Sequence, residues 1–172
     1  MTFVFTMERR RTSEPPGTVA GIRDRKGMVM ATGVQVVFDA ADPDRLARFW
    51  AAALHYVPQP PPQGYDSWPE FLARSGVPES QWGSASAVVD PAGAGPRLYF
   101  QRVPEPKTAK NRVHLDINIS SRAVPIDQRR PVVDAESERL LGAGATRLYV
   151  QEEGDQYTVT MADPEGNEFC VH

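Results

Sequence analysis

The stretch Gly166-Asn167-Glu168-Phe169-Cys170-Val171 decides the fold, because Gly95-Pro96-Arg97-Leu98-Tyr99-Phe100 stands earlier in the chain as its counterpart. Each leads from turn-forming residues into a strand whose large apolar side chains alternate with polar or reactive ones. Upstream, Val113-His114-Leu115-Asp116-Ile117 lies over Val34-Gln35-Val36-Val37-Phe38 in the same way. A helix is expected after each opening strand. Asp42-Pro43-Asp44 starts the first, which presents Leu46, Phe49, Trp50, Ala53 and Leu54 at i, i+3, i+4 spacing and should end at His55. The second is expected over residues 132–141, after loops at Pro125 and Pro131, and is stopped by Gly142 and Gly144. Strands are expected at residues 84–89, 97–103 and 112–119, then at 146–151, 156–161 and 168–171. The order strand, helix, further strands is therefore written twice, and the repeat predicts an α+β fold of two βαβββ modules, about residues 33–104 and 111–172.

Length agrees with a single domain. At 172 residues with 41% hydrophobic content there is one core to bury. Residues 1–30 carry no period of 2 or 3.6 and are broken by Pro15-Pro16-Gly17, so a flexible tail is expected there, with the domain over 31–172. Met28 and Met30 stand as alternative translation starts. The net charge of −3, without a basic stripe interleaved with aromatics, argues against nucleic acid as a partner. No run approaches a membrane span and the opening apolar stretch is too short for a signal peptide, so a cytoplasmic protein is expected. Cys170 is the only cysteine and has no internal disulfide partner.

Alternation sorts the strands into faces. Val34, Val36 and Phe38 oppose Gln35, Val37 and Asp39; Leu98 and Phe100 oppose Arg97, Tyr99 and Gln101. Val113, Leu115 and Ile117 oppose Arg112, His114 and Asp116; Phe169 and Val171 oppose Glu168, Cys170 and His172. The apolar faces call for helices. The polar faces call for water or a ligand.

The turn Asp163-Pro164-Glu165-Gly166-Asn167, with the opening Val34-Gln35-Val36-Val37-Phe38-Asp39 and Phe49-Trp50, resembles the vicinal-oxygen-chelate superfamily of glyoxalase I, bleomycin-resistance proteins and extradiol dioxygenases. Residues 103–116 are similar to an actinobacterial-type glyoxalase-like subgroup. The resemblance implies a curved, cup-like mixed sheet with helices outside, one polar pocket around His114, and a homodimer. It also assigns metal-ligand positions, here Gln35, Tyr99, His114 and Cys170, with tyrosine and cysteine standing where carboxylates are expected. A set of His114, Glu168, Gln35 and Cys170 for zinc, iron, manganese or nickel is one reading of the cup, and no metal at all is the other. In the cup, His114 and Glu168 are the expected catalytic pair, and Gln35, Arg97, Tyr99, Gln101, Arg112, Asp116 and Cys170 the expected ligand contacts. Tyr65, Trp68, Phe71 and Trp82 fall in a long connection with one short helix and are expected either to cover a ligand or to pack an insertion. Two functions follow: a lyase, isomerase or dioxygenase-type enzyme acting on a small carbonyl or phenolic metabolite, or a resistance-type protein that sequesters a drug or metabolite.

Overall fold

The computed structural model describes residues 32–172, of which Val34–His172 form one compact unit. The expected N-terminal tail and the alternative starts lie outside the described residues. The first module runs β1 (Gln35–Ala40), α1 (Pro43–Leu54), β2 (Val57–Pro58), α2 (Trp68–Arg74), a 3-10 turn (Glu79–Ser84), β3 (Ala85–Val89) and β4 (Arg97–Arg102). The second runs β5 (Leu115–Ile117), α3 (Ile126–Gly142), β6 (Thr146–Glu153), β7 (Gln156–Ala162) and β8 (Glu168–Val171).

The eight strands form two four-stranded mixed sheets, ordered β1-β4-β3-β2 and β5-β8-β7-β6. Both repeat the same register. β1 runs parallel to β4 with Val36 opposite Leu98, and β5 runs parallel to β8 with Leu115 opposite Phe169. The hairpin turns repeat too: the Gly93 amide bonds to the Asp90 carbonyl and the Gly166 amide to the Asp163 carbonyl, each glycine at positive φ.

α1 forms because Asp42 caps it, its carboxylate accepting from the Arg45 amide at 3.1 Å, and Pro43 suits the first turn. It ends at His55, left-handed at φ 56°, and the following Tyr56 amide closes on the Ala51 carbonyl. Phe49 and Trp50 serve both modules. Trp50 packs on Phe38 of β1 at 5.2 Å between ring centroids and on Phe169 of β8 at 5.3 Å. α1 therefore covers the apolar face of the first sheet and α3 that of the second, and the α1 aromatic side chains reach Phe169 to join the two cores.

Several sequence expectations are corrected. α3 begins six residues before 132 and carries Pro131 inside it. Its buried stripe is Arg129, Val133, Ser137 and Leu140, half polar and so invisible to apolar periodicity. Ser137 satisfies its own hydroxyl on the Val133 carbonyl at 2.8 Å. The strand expected over 112–119 shrinks to Leu115–Ile117, and Val34 and Val113, assigned to buried faces, are 75% and 79% exposed ahead of their strands. β2 was hidden by its proline, which the sheet tolerates because β2 is an edge strand. The long connection holds a 3-10 turn besides its one expected helix.

Candidate functional site

On the face of the first sheet away from α1, one cation organises the side chains. Arg97 of β4 donates through Nε to the Gln59 side-chain oxygen and through Nη1 to that of Gln35, and its guanidinium lies 4.8 Å from the centroid of the Tyr99 ring. Burial pulls the Arg97 guanidinium below the ordinary arginine range. Among the described residues no carboxylate lies within ion-pair distance of it. One row along the sheet, Gln101 donates to Asp39 at 2.8 Å. Gln59 lies past the end of β2, its amide bonded to the Ala87 carbonyl at 2.9 Å. The sequence reading missed Gln59; the signal was a single polar side chain in the Pro58-Gln59-Pro60 run.

The corresponding face of the second sheet is arranged around an ion pair. Glu168 accepts from the Asn111 amide at 3.1 Å and from Lys107 Nζ at 3.0 Å. The Asn111 hydrogen bond and then the lysine hold its carboxyl down at about 2. Such a group stays a carboxylate at neutral pH and is committed to its own loop. His114 is exposed just ahead of β5, with Nε2 3.1 Å from the Asn111 carbonyl oxygen, and Arg112 is exposed beside it. Cys170 lies 3.7 Å from Thr160 Oγ1, its thiol pushed up mainly by burial. Asp116 is opposite Cys170 in register and 4.0 Å from His172 Nε2.

α1 packs on the apolar face of the first sheet and α3 on that of the second, so each polar face is the one its helix leaves uncovered. Gln35, Arg97, Tyr99 and Gln101 are brought together on one sheet, and His114, Asp116, Glu168 and Cys170 on the other. Among the described residues no hydrogen bond or ion pair joins the two groups. A crevice of about 360 Å³ does open where the C-terminal end of α1 meets β5 and α3, but His55, Asp116, Asn118 and Glu136 contribute its polar lining and His114 does not.

The model of the glyoxalase-like domain matches residues 35–172. The chain belongs to this family. Among solved structures, this glyoxalase-like chain is similar to a glyoxalase/bleomycin resistance protein/dioxygenase family enzyme from Burkholderia phytofirmans, with 14% identity over 80% of this chain and 94% of that one and a TM-score of 0.52. A genomically encoded fosfomycin resistance protein from Listeria monocytogenes, crystallised with Mn(II) and 1S,2S-dihydroxypropylphosphonic acid, shares 12% identity over 83% and 90% of the two chains, with a TM-score of 0.52. A glyoxalase-related enzyme from Fulvimarina pelagi shares 14% over 83% and 87%, at 0.51. At these identities the likeness shows the fold. No curated protein matches.

The glyoxalase-like family implies a divalent metal, and this chain's residues do not fit one. Gln35 faces a guanidinium with its only acceptor oxygen, Glu168 is neutralised by Lys107, and burial raises the Cys170 thiol so that it is held as a neutral group. Among the described residues no three His, Cys, Asp or Glu side chains are placed to share an ion. The aromatic set divides as well. Tyr65, Trp68 and Phe71 pack edge to face, with Phe71 at 5.0 Å from Tyr65 and 5.7 Å from Trp68 between centroids. The Trp68 indole donates to the Gln59 carbonyl at 2.7 Å, beside the arginine cluster, whereas Trp82 donates to Val77 at 3.0 Å within its own loop.

Proposed function

We propose that this glyoxalase-like domain binds a small molecule as a homodimer, the first sheet of one copy and the second sheet of another forming a cup that neither copy forms alone. The observation that carries this reading is that helices cover both apolar faces, α1 the first and α3 the second, so that neither polar face is covered by a helix of its own chain. Those faces are not shaped for water alone. Val37 is 49% exposed on one and Tyr149 46% on the other. Sequestration is the function that the geometry supports best, because Glu168 is locked in an ion pair and the His114 ring is bonded to the Asn111 carbonyl rather than to a carboxylate. The enzyme reading, turnover of a small carbonyl or phenolic compound, rests on the exposed imidazole of His114. A cytoplasmic location belongs with either; among the described residues no helix is long and apolar enough to cross a membrane.

Equilibrium sedimentation tests the dimer. The expected mass is twice the 19.0 kDa of one chain. A monomer at micromolar concentration would remove the shared cup. Complementation tests the site: a variant disabled on the first sheet and one disabled on the second should each bind poorly as pure dimers, and mixing them should restore one intact cup per mixed dimer.

A further inference from the structure

The first sheet carries a positive charge whose near partners are all neutral. A guanidinium can only donate hydrogen bonds, so the amide oxygens of Gln35 and Gln59 must face Arg97, and their amino groups must face elsewhere. Arg97 Nη2 makes no bond within the described residues. What the cluster offers a visitor is therefore a set of donors: Arg97 Nη2, the two glutamine amino groups and the Tyr99 hydroxyl. Donor groups converging around an uncompensated cation suit an oxyanion.

The cation also stands where a metal would be sought. Gln35 and Tyr99 are the two positions of the first module to which the family resemblance assigns metal ligands, and the Arg97 guanidinium is bonded to one and lies over the ring of the other. We propose that Arg97 takes the place of a metal ion on this sheet and binds the carboxylate end of an organic ligand. This deepens the ligand-binding reading given above, and the cluster is complete on one sheet of one copy. The preference for a carboxylate follows from charge. Arg97 is the only cation among the strand residues on this face, since Arg102 lies on the other side of β4 with Leu98 and Phe100, and Asp39 places a negative charge two residues along β1 from Val37. One guanidinium balances a monoanion and leaves a dianion in excess.

The test is isothermal titration with benzoate, phenylphosphonate and benzamide, on protein treated with a chelator and on protein supplied with manganese or zinc. Benzoate should bind, more tightly than phenylphosphonate or neutral benzamide, with an affinity unchanged by chelator or added metal. Arg97→Met should weaken it at least about tenfold. Should that variant fold poorly, Gln59→Glu provides a second arm: a carboxylate beside Arg97 would occupy the guanidinium, abolish benzoate binding and leave the thermal midpoint unchanged or raised. Benzamide binding as tightly as benzoate would overturn the oxyanion site while leaving a ligand-binding cup in place, and failure of all three probes would overturn both. Tighter binding of phenylphosphonate would overturn the carboxylate preference. Stoichiometric manganese or zinc that competes with benzoate would overturn the replacement of metal by arginine. Loss of the dimer in Arg97→Met with benzoate affinity intact would make the guanidinium an interface residue and overturn the proposal.

Discussion

A methyl group on Gly95 would overlap the Tyr56 hydroxyl, and Asp90 Oδ2 already accepts from the Gly95 amide at 2.7 Å. Neither neighbour can move away freely. Gly95→Ala is expected to cost about 1–3 kcal/mol by overpacking, with part recovered in the Gly95→Ala, Tyr56→Phe double variant; urea unfolding measures both. Glu168 gives a pH signature. Its carboxyl is held at about 2, below the ordinary glutamate value, so its stabilising contribution is complete above the ordinary carboxylate range and is lost as pH falls towards 2. Glu168→Gln should lower stability at neutral pH and flatten the acid limb of a stability profile. The alternation of Arg97, Tyr99 and Gln101 against Leu98 and Phe100 was legible from sequence, since a strand has only two faces. Lys107 and Asn111 as the partners of Glu168 were not: the Asn111 bond joins residues 57 positions apart and depends on how a loop folds back.

Among elements, the turn between β7 and β8 is a fastening. Asp163 is buried, and its carboxylate accepts from the amides of Glu165 and Asn167, from the Asn167 side chain and from Trp50 Nε1 at 3.2 Å on α1. Burial raises its carboxyl above the ordinary range despite these donors. Glu165 accepts from the amides of Ala41 and Asp42 at 2.7 and 2.8 Å, satisfying donors at the start of α1. The segment that marks the family in sequence thus joins the modules. Asp163→Ala, which leaves several buried donors without an acceptor, is expected to cost at least about 3 kcal/mol, read as a lower urea midpoint at unchanged slope. At the other end of α1, Arg139 of α3 donates to the carbonyls of Ala52 and Ala53 at 3.0 and 3.3 Å while Glu136 holds it in place. Arg139→Met should cost about 1–2 kcal/mol, on the low side for a charged hydrogen bond because the side chain is partly exposed. Elements with strong local signals, α1 and β8 above all, were legible. Where tertiary contacts overrule local preference they were not, as in α3, which runs through Pro131 because Arg129, Val133 and Leu140 are anchored on the second sheet and its hairpin.

On the scale of the molecule, the twofold repeat was legible and the direction of its faces was not. Sequence pattern shows which side of a strand is polar, but whether two polar faces meet depends on how the modules dock, and here they dock through Phe49 and Trp50 of α1 against Phe169 of β8. The same turn and helix also set an order in time. The donors of Ala41, Asp42 and Trp50 meet their acceptors 113 to 124 residues further along the chain. A ribosome that has released only the first module therefore presents Phe49 and Trp50 without the Phe169 ring that covers them. The core of that half is completed only when the last strand is synthesised, so nascent chains paused before Asp163 are expected to be the species that chaperones hold and proteases cut.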